Sequence, residues 1–485
     1  MTSYFIGIDL GTTICKCSVY DESHKLQGES CEEYPLLYPA SGHIEQDADK
    51  WWDLTKKVIK RALKTVRSDK IRAISVSSQG ISFVPLNALK QPVRNAISWL
   101  DERGKSEIAF IEKKFKKEVI YNTTGKCLSG VYILPKLLWL MRNEPDVIAS
   151  TDKIVMPMEF ITGRLSGNYI TDHTMASGTM LYNIHTRQWD TDILNAFGID
   201  IDKLPAIKEA GTPAGVILPD VAEELGLPKE TLVVVGGQDQ KCASLAGGID
   251  SSTLTVSLGT AAAAEVICSS PVLDPDFMIP AFSYLFAGCW VLEGAVATSG
   301  AAVKWFKDNW ASSYTYAEMD EKAMLAYAAQ NNVFFYPYLS SDFNDDKKGV
   351  FYGLGLDTGV SEMAMAVLEG ITFEISHISK RLEYLSDTVK IDKIRVFGGG
   401  ANSGIWCQLL ADVCDLPVDV MHTPETAAQG AAILAGVGAG KYKDAFAVAG
   451  QLKVFHTFLP DVCNGAIYSK KKADYFTLKT RLFDH

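Results

Sequence analysis

The sequence predicts an α/β protein of two related domains, and three observations lead there. Strand-like and helix-like patterns are mixed along the first half, as in an α/β layer architecture. The 485 residues exceed what one hydrophobic core usually serves. A strand–Leu-Gly-Thr–strand pattern also occurs once in each half, in FIGIDLGTTICKC from Phe5 and in TLTVSLGTAAAAEVIC from Thr253. The expected domains are 1–248 and 249–485, divided where small and polar residues cluster in AGGIDSST.

The elements follow in order. Phe5, Gly7 and Asp9 alternate with Ile6, Ile8 and Leu10, the period of a strand. Gly11 permits a tight turn, and Thr13, Cys15, Cys17 and Val19 resume the alternation, so this is a β-hairpin tipped by Gly-Thr-Thr. Cys15 and Cys17, two apart on one strand, point the same way and read as buried small groups rather than a disulfide. DADKWWDLTKKVIKRALKTV has an N-cap candidate in Asp47 and apolar spacing of three and four. IRAISVSSQG, from Ile71, is a strand entering a turn. LPKLLWLMRNEPDV is a helix with Pro135 near its start. TLVVVGGQDQ, from Thr231, is a buried β-branched strand ending at two glycines. The second half adds its own hairpin, an apolar helix from Met363, and IRVFGGGANSGIW, a strand ending in three glycines before a helix near Ser403. A helix-rich tail follows.

Bulk properties exclude several classes. A net charge of −11 argues against nucleic acid or an anionic membrane as the main partner. The opening residues lack a basic segment followed by an apolar one, and the most apolar runs, such as AAQGAAILAGVGAG, are too short to span a bilayer. A cytoplasmic protein is expected. The ten cysteines include no C-x-x-C pair, and the eight histidines no H-E-x-x-H, so no transition-metal site is expected.

Chemistry is expected at three places. The two Gly-Thr turns offer backbone N–H groups and hydroxyls suited to polyphosphate oxygens. The first has Asp9 beside its tip, the second Ser257 at the matching place. One carboxylate can hold Mg²⁺, directly or through water, whereas two would repel the nucleotide. Asp239, following a buried strand and two glycines, is placed to accept a proton from a substrate hydroxyl, or equally to cap a helix. Gly398-Gly399-Gly400 fits neither a P-loop nor a dinucleotide fingerprint. It is either a glycine-rich strand-to-helix turn or a backbone surface for adenine or ribose.

With these residues in order, the chain resembles the FGGY family of carbohydrate kinases, of the actin/hexokinase/Hsp70 ATPase superfamily. The resemblance rests on GIDLGTT at Gly7–Thr13, EQD at Glu45–Asp47, WLDER at Trp99–Arg103 and KLLWL at Lys136–Leu140. It continues in TDHTMASGTMLYNI at Thr171–Ile184, GVFYGL with EMAMAVLEG at Gly349–Gly370, and GGGANSGIWCQLLAD at Gly398–Asp412. It implies two ribonuclease-H-like domains around a central cleft, the first binding a sugar and the second ATP with Mg²⁺. By resemblance Asp239 is the catalytic base and Asp9 the metal-facing carboxylate. Gly11, Thr12, Thr13, Lys16, Gly259 and Thr260 would serve the phosphates, and Gly399, Gly400 and Ser403 the adenosine. Gln79, Gly80, Ile81, Asp101, Arg103 and Gln240, with Asp239, would face the sugar. The partner implied is a small sugar, with neither nucleic acid nor membrane, and a homodimer is compatible.

Two departures stand out. Xylulokinases carry Q-M-H-G and glycerol kinases Q-R-E-T where this chain has Gln79, Gly80, Ile81 and Ser82. Losing those polar side chains favours a different hydroxyl pattern or a bulkier substrate. SSDFNDDKKG, Ser340–Gly349, lacks the Arg and Pro of a G-x-R-x-P loop. A ketose such as xylulose is the first expectation and another sugar, sugar acid or polyol the second. A non-catalytic regulator of the same fold is the alternative outside enzymes.

Overall fold

The computed structural model describes residues 2–329, 331–340, 347–421 and 425–483. Most of the atypical Ser340–Gly349 segment, residues 341–346, lies outside the described residues.

The chain divides into two compact units, 1–246 with 269–291 and 425–451, and 247–268 with 292–424 and 452–485. The cut after Ala246 falls in the AGGIDSST segment. The units are nevertheless not the continuous halves 1–248 and 249–485, because two later segments join the first.

In the first unit lie β1 (Tyr4–Leu10), β2 (Ile14–Asp21), β3 (Leu26–Glu33), α1 (Ala48–Ala62), β4 (Ile71–Ser78), α2 (Ile133–Asn143), β5 (Pro213–Val216), β6 (Leu232–Gln238) and α3 (Asp239–Ala246). The second holds β7 (Thr253–Leu258), β8 (Ala262–Cys268), most of β9 (Trp290–Val296), α4 (Gly300–Trp310), α5 (Val360–Leu385), β10 (Lys393–Phe397), α6 (Gly404–Cys414) and β11 (Val418–Met421). Then α7 (Thr426–Gly438) returns to the first, while β12 (Val454–Phe458) and α8 (Val462–Phe483) belong to the second.

The two sheets share an order. In the first it is β5–β6–β4–β1–β2–β3, with β1 antiparallel to β2 and parallel to β4. Among the strands of the second unit, read from the opposite edge, it is β12–β11–β10–β7–β8–β9, with β7 antiparallel to β8 and parallel to β10. Each unit thus has a hairpin on one side of its first strand and two parallel strands on the other. The echo of Leu-Gly-Thr in the sequence is an echo of topology, as two related domains require.

Ile6, Ile8, Leu10, Cys15, Cys17 and Val19 of the first hairpin are all buried in one hydrophobic core. Cys15 and Cys17 are free thiols, and burial pushes Cys15 up to about 12. Asp47 caps α1, accepting from the amides of Asp49 (3.0 Å) and Lys50 (3.3 Å). The helix buries Trp51, Val58 and Ile59. Small residues explain how α7 reaches the first sheet. A β-carbon at Gly7 would lie 1.8 Å from Ala428 O, and one at Gly430 2.0 Å from Cys242 O. Backbone therefore meets backbone on both sides of this helix. Among the described residues no helix is long and apolar enough to cross a membrane.

Candidate active site

In the first unit the hairpin turn Gly11–Thr13 is held by its carbonyls. Tyr34 donates its hydroxyl to Gly11 O and its amide to Thr13 O (2.8 Å), and Gln46 Nε2 donates to Thr12 O (2.7 Å). Turning these acceptors inward leaves the amides of Thr12 and Thr13, which meet no acceptor among the described residues. A run of such amides is an anion cradle.

Asp9 lies one residue before the end of β1, directly across from Lys16 on β2. Lys16 Nζ is 2.6 Å from Glu425 Oε2, at the start of α7. Burial pushes the Asp9 carboxyl up to about 6, against the opposing pull of Lys16, and Glu425 adds to the rise. Ser77 Oγ donates to Asp9 at 3.5 Å. One carboxylate beside one ammonium suits a cation delivered with its own phosphate oxygens rather than a cage of protein ligands. Among the described residues there is no group of three or more ligating side chains.

Asp239 is the first residue of α3, where β6 ends. Its Oδ1 accepts from Gln238 Nε2 (2.6 Å) and from the Gln240 amide (2.8 Å), so two donors fix the carboxylate. Behind it, the Gln238 amide donates to Thr174 Oγ1 (2.8 Å), and Thr174 donates to Asp172 Oδ1 (2.9 Å). Buried Asp172 also caps the short helix His173–Ser177. Asp239 therefore begins the helix, and its carboxylate is oriented by its chain neighbours. Burial first, then the charge of Asp172, pushes the Cys242 thiol well above its usual range, against a hydrogen bond from Ser77 and with smaller additions from Asp9 and Asp239.

The turn after β4 is strained. Ile81 has φ +67°, and the Ser82 amide donates to Gly80 O at 2.8 Å. That is a γ-turn of the rare positive-φ hand, costly for a β-branched residue. The turn abuts the Asp239 segment, since a β-carbon on Gly80 would lie 3.0 Å from Gln238 Cγ.

Three expected sugar contacts are placed otherwise. Gln79 is buried, donating to Gln46 Oε1 (2.9 Å) and accepting from Ser82 Oγ (3.2 Å), so it stands behind the turn. Asp101 is 1% exposed and Arg103 5%. Asp101 Oδ1 accepts from the amide and Nε of Arg103, and Oδ2 from Nη2 of Arg103 and the Ile44 amide. Four donors fill a carboxylate's capacity, which leaves none for a sugar hydroxyl. Arg103 also donates to Glu45 (2.8 Å) and lies 4.9 Å over the Trp139 ring. W-x-D-x-R is here an internal ion-pair network. Its loop is pinned by Lys136, whose buried ammonium donates to Ser98 O (2.7 Å) and Trp99 O (3.0 Å) and is pulled down to about 7 by burial.

In the second unit the turn Gly259–Thr260–Ala261 joins β7 to β8. The start of α4 closes on it: the Gly300 amide donates to Gly259 O (2.8 Å), and those of Ser299 and Ala301 to Thr260 O (3.0 and 3.1 Å). The triple glycine packs beside this turn. Gly398 has φ +89°, and a β-carbon there would be 3.0 Å from Leu258 O. One at Gly400 would strike the Trp406 ring at 2.7 Å, whereas Gly399 faces open space. Ser403 caps α6 through the Trp406 amide (3.3 Å). Glycine is thus required for packing at Gly400, and Gly399 is the position where a flat ligand could approach the backbone.

Sequence reasoning missed Glu425 and Gly300, and it named Trp99 and Thr174 only within motifs, without a role. Glu425, Trp99 and Thr174 act through partners distant in the chain. Gly300 followed a strand and opened a helix, a signal that was legible.

Two family models match, for the N-terminal domain of the FGGY family of carbohydrate kinases over residues 4–246 and for its C-terminal domain over 254–439. The chain is 28% identical to a xylulose kinase of Escherichia coli K12 over 99% of each. It is 27% identical to a gluconokinase of Bacillus subtilis, covering 91% of this chain and 88% of the relative. Among solved structures, a ligand-bound xylulose kinase from Lactobacillus acidophilus superposes with a TM-score of 0.93 at 27% identity, covering 99% of this chain and 98% of that one. A glycerol kinase from Plasmodium falciparum with ADP reaches 0.89 at 21% identity over 99% and 98%, a likeness of fold alone.

Proposed function

The chain belongs to the FGGY family of carbohydrate kinases, and on that footing we propose that it transfers the γ-phosphate of ATP to a hydroxyl of a ketose, with D-xylulose the first acceptor to test. The observation that carries this reading is the aimed carboxylate of Asp239 at the end of β6. Xylulose kinases among the relatives, matched over nearly the whole chain, support the choice of acceptor.

Phosphoryl transfer needs positioning and charge neutralisation more than covalent chemistry. Asp239 orients the acceptor hydroxyl in line with the γ-phosphate and takes its proton late. The turn Gly11–Thr13 serves phosphate oxygens through its amides, and Lys16 adds a cation beside Asp9. Gly259, Thr260, Gly399, Gly400 and Ser403 are the nucleotide positions of the second unit. Asp9 fits a Mg²⁺ that arrives with the nucleotide, as its one protein carboxylate, and that ion would neutralise charge on the phosphate oxygens. Gly80, Ile81 and Gln240 remain as sugar-facing positions.

A second reading, a different sugar, sugar acid or polyol, is favoured by the γ-turn. Its tip residue is the apolar Ile81, next in the chain to Gly80, which abuts Gln238. A gluconokinase among the relatives points the same way.

The test is ATP consumption across ketopentoses, ketohexoses, polyols and sugar acids. Asp239→Asn is expected to bind ATP as before and to lose about 10²–10⁴-fold in transfer. Full turnover in that variant would remove Asp239 from the mechanism.

A further inference from the structure

Five residues from four segments of the first unit close a ring of hydrogen bonds. Gln46 Nε2 donates to Thr12 O (2.7 Å), Gln79 Nε2 to Gln46 Oε1 (2.9 Å), and Ser82 Oγ to Gln79 Oε1 (3.2 Å). The Trp99 amide donates to Ser82 Oγ (2.9 Å), and its indole Nε1 donates to Thr12 Oγ1 (2.9 Å). The ring holds the phosphate turn at Thr12 on one side and the strained turn Gly80–Ile81, spanned by Gln79 and Ser82, on the other.

The direction of every bond is fixed by its ends. A carbonyl at Thr12 can only accept, so Gln46 must turn its amide nitrogen there and its oxygen to Gln79. Gln79 must then offer its oxygen to the Ser82 hydroxyl. An amide and an indole N–H can only donate, so Trp99 supplies both of its bonds. Trp99 is the ring's double donor and Thr12 its double acceptor. Since Thr12 Oγ1 is held as an acceptor, its own hydroxyl proton is left over by the ring, as is the second N–H of each glutamine amide, and it is the one leftover donor that sits on the phosphate turn. Lys136, bound to the carbonyls of Ser98 and Trp99, keeps the Trp99 backbone in place.

We propose that Trp99 is a positioning residue for the nucleotide: through this ring it fixes the Thr12 hydroxyl as a donor toward a phosphate oxygen and ties that donor to the turn at Gly80–Ile81. This rests on the reading of Gly11–Thr13 as a phosphate turn. It does not depend on which sugar is the acceptor.

The experiment is a double-mutant cycle read by calorimetric binding of Mg-ATP without any sugar. Trp99→Phe removes the indole donor and keeps an aromatic ring. It is expected to weaken ATP binding about fivefold, the weight of one ordinary hydrogen bond. Thr12→Val is expected to cost at least as much, and Trp99→Phe to cost nothing further in that background. Thr12→Ser keeps the oxygen, so it should bind like the native chain and remain sensitive to Trp99→Phe. Ser82→Ala, which cuts the ring on the other side of Trp99, serves in the cycle if Trp99→Phe does not fold by circular dichroism. Independent, additive losses would overturn the proposal, as would unchanged ATP binding in Trp99→Phe with a raised KM for D-xylulose. Failure of the native chain to phosphorylate D-xylulose would count against the proposed acceptor and leave this cycle intact.

Discussion

The two Gly-Thr hairpins share topology and differ in what surrounds them. β1 carries Asp9 one residue before its end, and β7 carries Ser257 there. The carbonyls of the first turn are held by side chains and a backbone amide from separate segments, Tyr34 and Gln46. Those of the second are held by the backbone start of one helix, α4. Two residues further back, β1 has Gly7 against the backbone of α7, while β7 has buried Thr255, which reaches Glu265 O at 3.4 Å. The same hairpin is therefore used twice: once as a site carrying a charge, aimed by side chains, and once as a plain turn braced by a helix. Of the two matching places, only the one on β1 carries a charged side chain.

The largest effect that breaks this contrast is expected at Gly7. A methyl there would meet Ala428 O at 1.8 Å and has nowhere to move. Gly7→Ala should lower stability by more than about 3 kcal/mol or prevent folding. Thr255→Ser, at the matching place, should cost about 1 kcal/mol. Urea unfolding midpoints check both.

Charge comes next. Asp9→Asn is expected to lower kcat for sugar phosphorylation by about 10²-fold, and Ser257→Ala by less than about threefold. Comparable losses in steady-state kinetics would erase the distinction between the turns.

The smallest effect sharpens the contrast in pH. Each unit has a buried Glu whose carboxyl is pushed up. Glu369 of the second is 2.6 Å from Lys471, and burial outweighs that ammonium to push its carboxyl up to about 7. Glu159 of the first accepts from Thr171, and burial pushes its carboxyl up to about 8. A raised carboxyl pKa makes the folded state bind more protons than the unfolded one. Stability from Glu159 is thus full below about pH 4.5 and is lost as pH rises through about 8. Glu159→Gln should raise the unfolding temperature at pH 8 by several degrees and change it little at pH 5. In Glu369→Gln, Lys471 is left without its carboxylate partner, and a loss is expected at both. Parallel pH profiles of Glu159→Gln and the native chain would contradict the assignment.

What was legible in the sequence was what has a period or a local signature. Alternation gave both hairpins, and Asp47, Ser403 and Asp239 stood where strands and helices begin or end. The side-chain partners were not legible, because polar bonds between distant segments leave no local pattern. Trp99 and Thr12 are 87 positions apart, and nothing near Lys16 announces Glu425. Asp101 and Arg103 look like site residues on paper because charged side chains usually face water. Here they satisfy each other in the interior. β12 was missed since Val454, Phe455, His456 and Thr457 are all exposed and show no alternation. The small-residue helix α7 read only as an apolar run too short for a membrane, although its smallness lets it lie against β1.

That helix also sets when the first unit can be completed. During synthesis β1 emerges first, yet the helix that covers Gly7 emerges more than four hundred residues later. At typical translation rates of about 5–20 residues per second, the first sheet waits tens of seconds with one face unfinished. A fragment ending at residue 248 would lack that cover permanently, so cutting the gene at the apparent domain boundary would yield an aggregating piece rather than an autonomous domain.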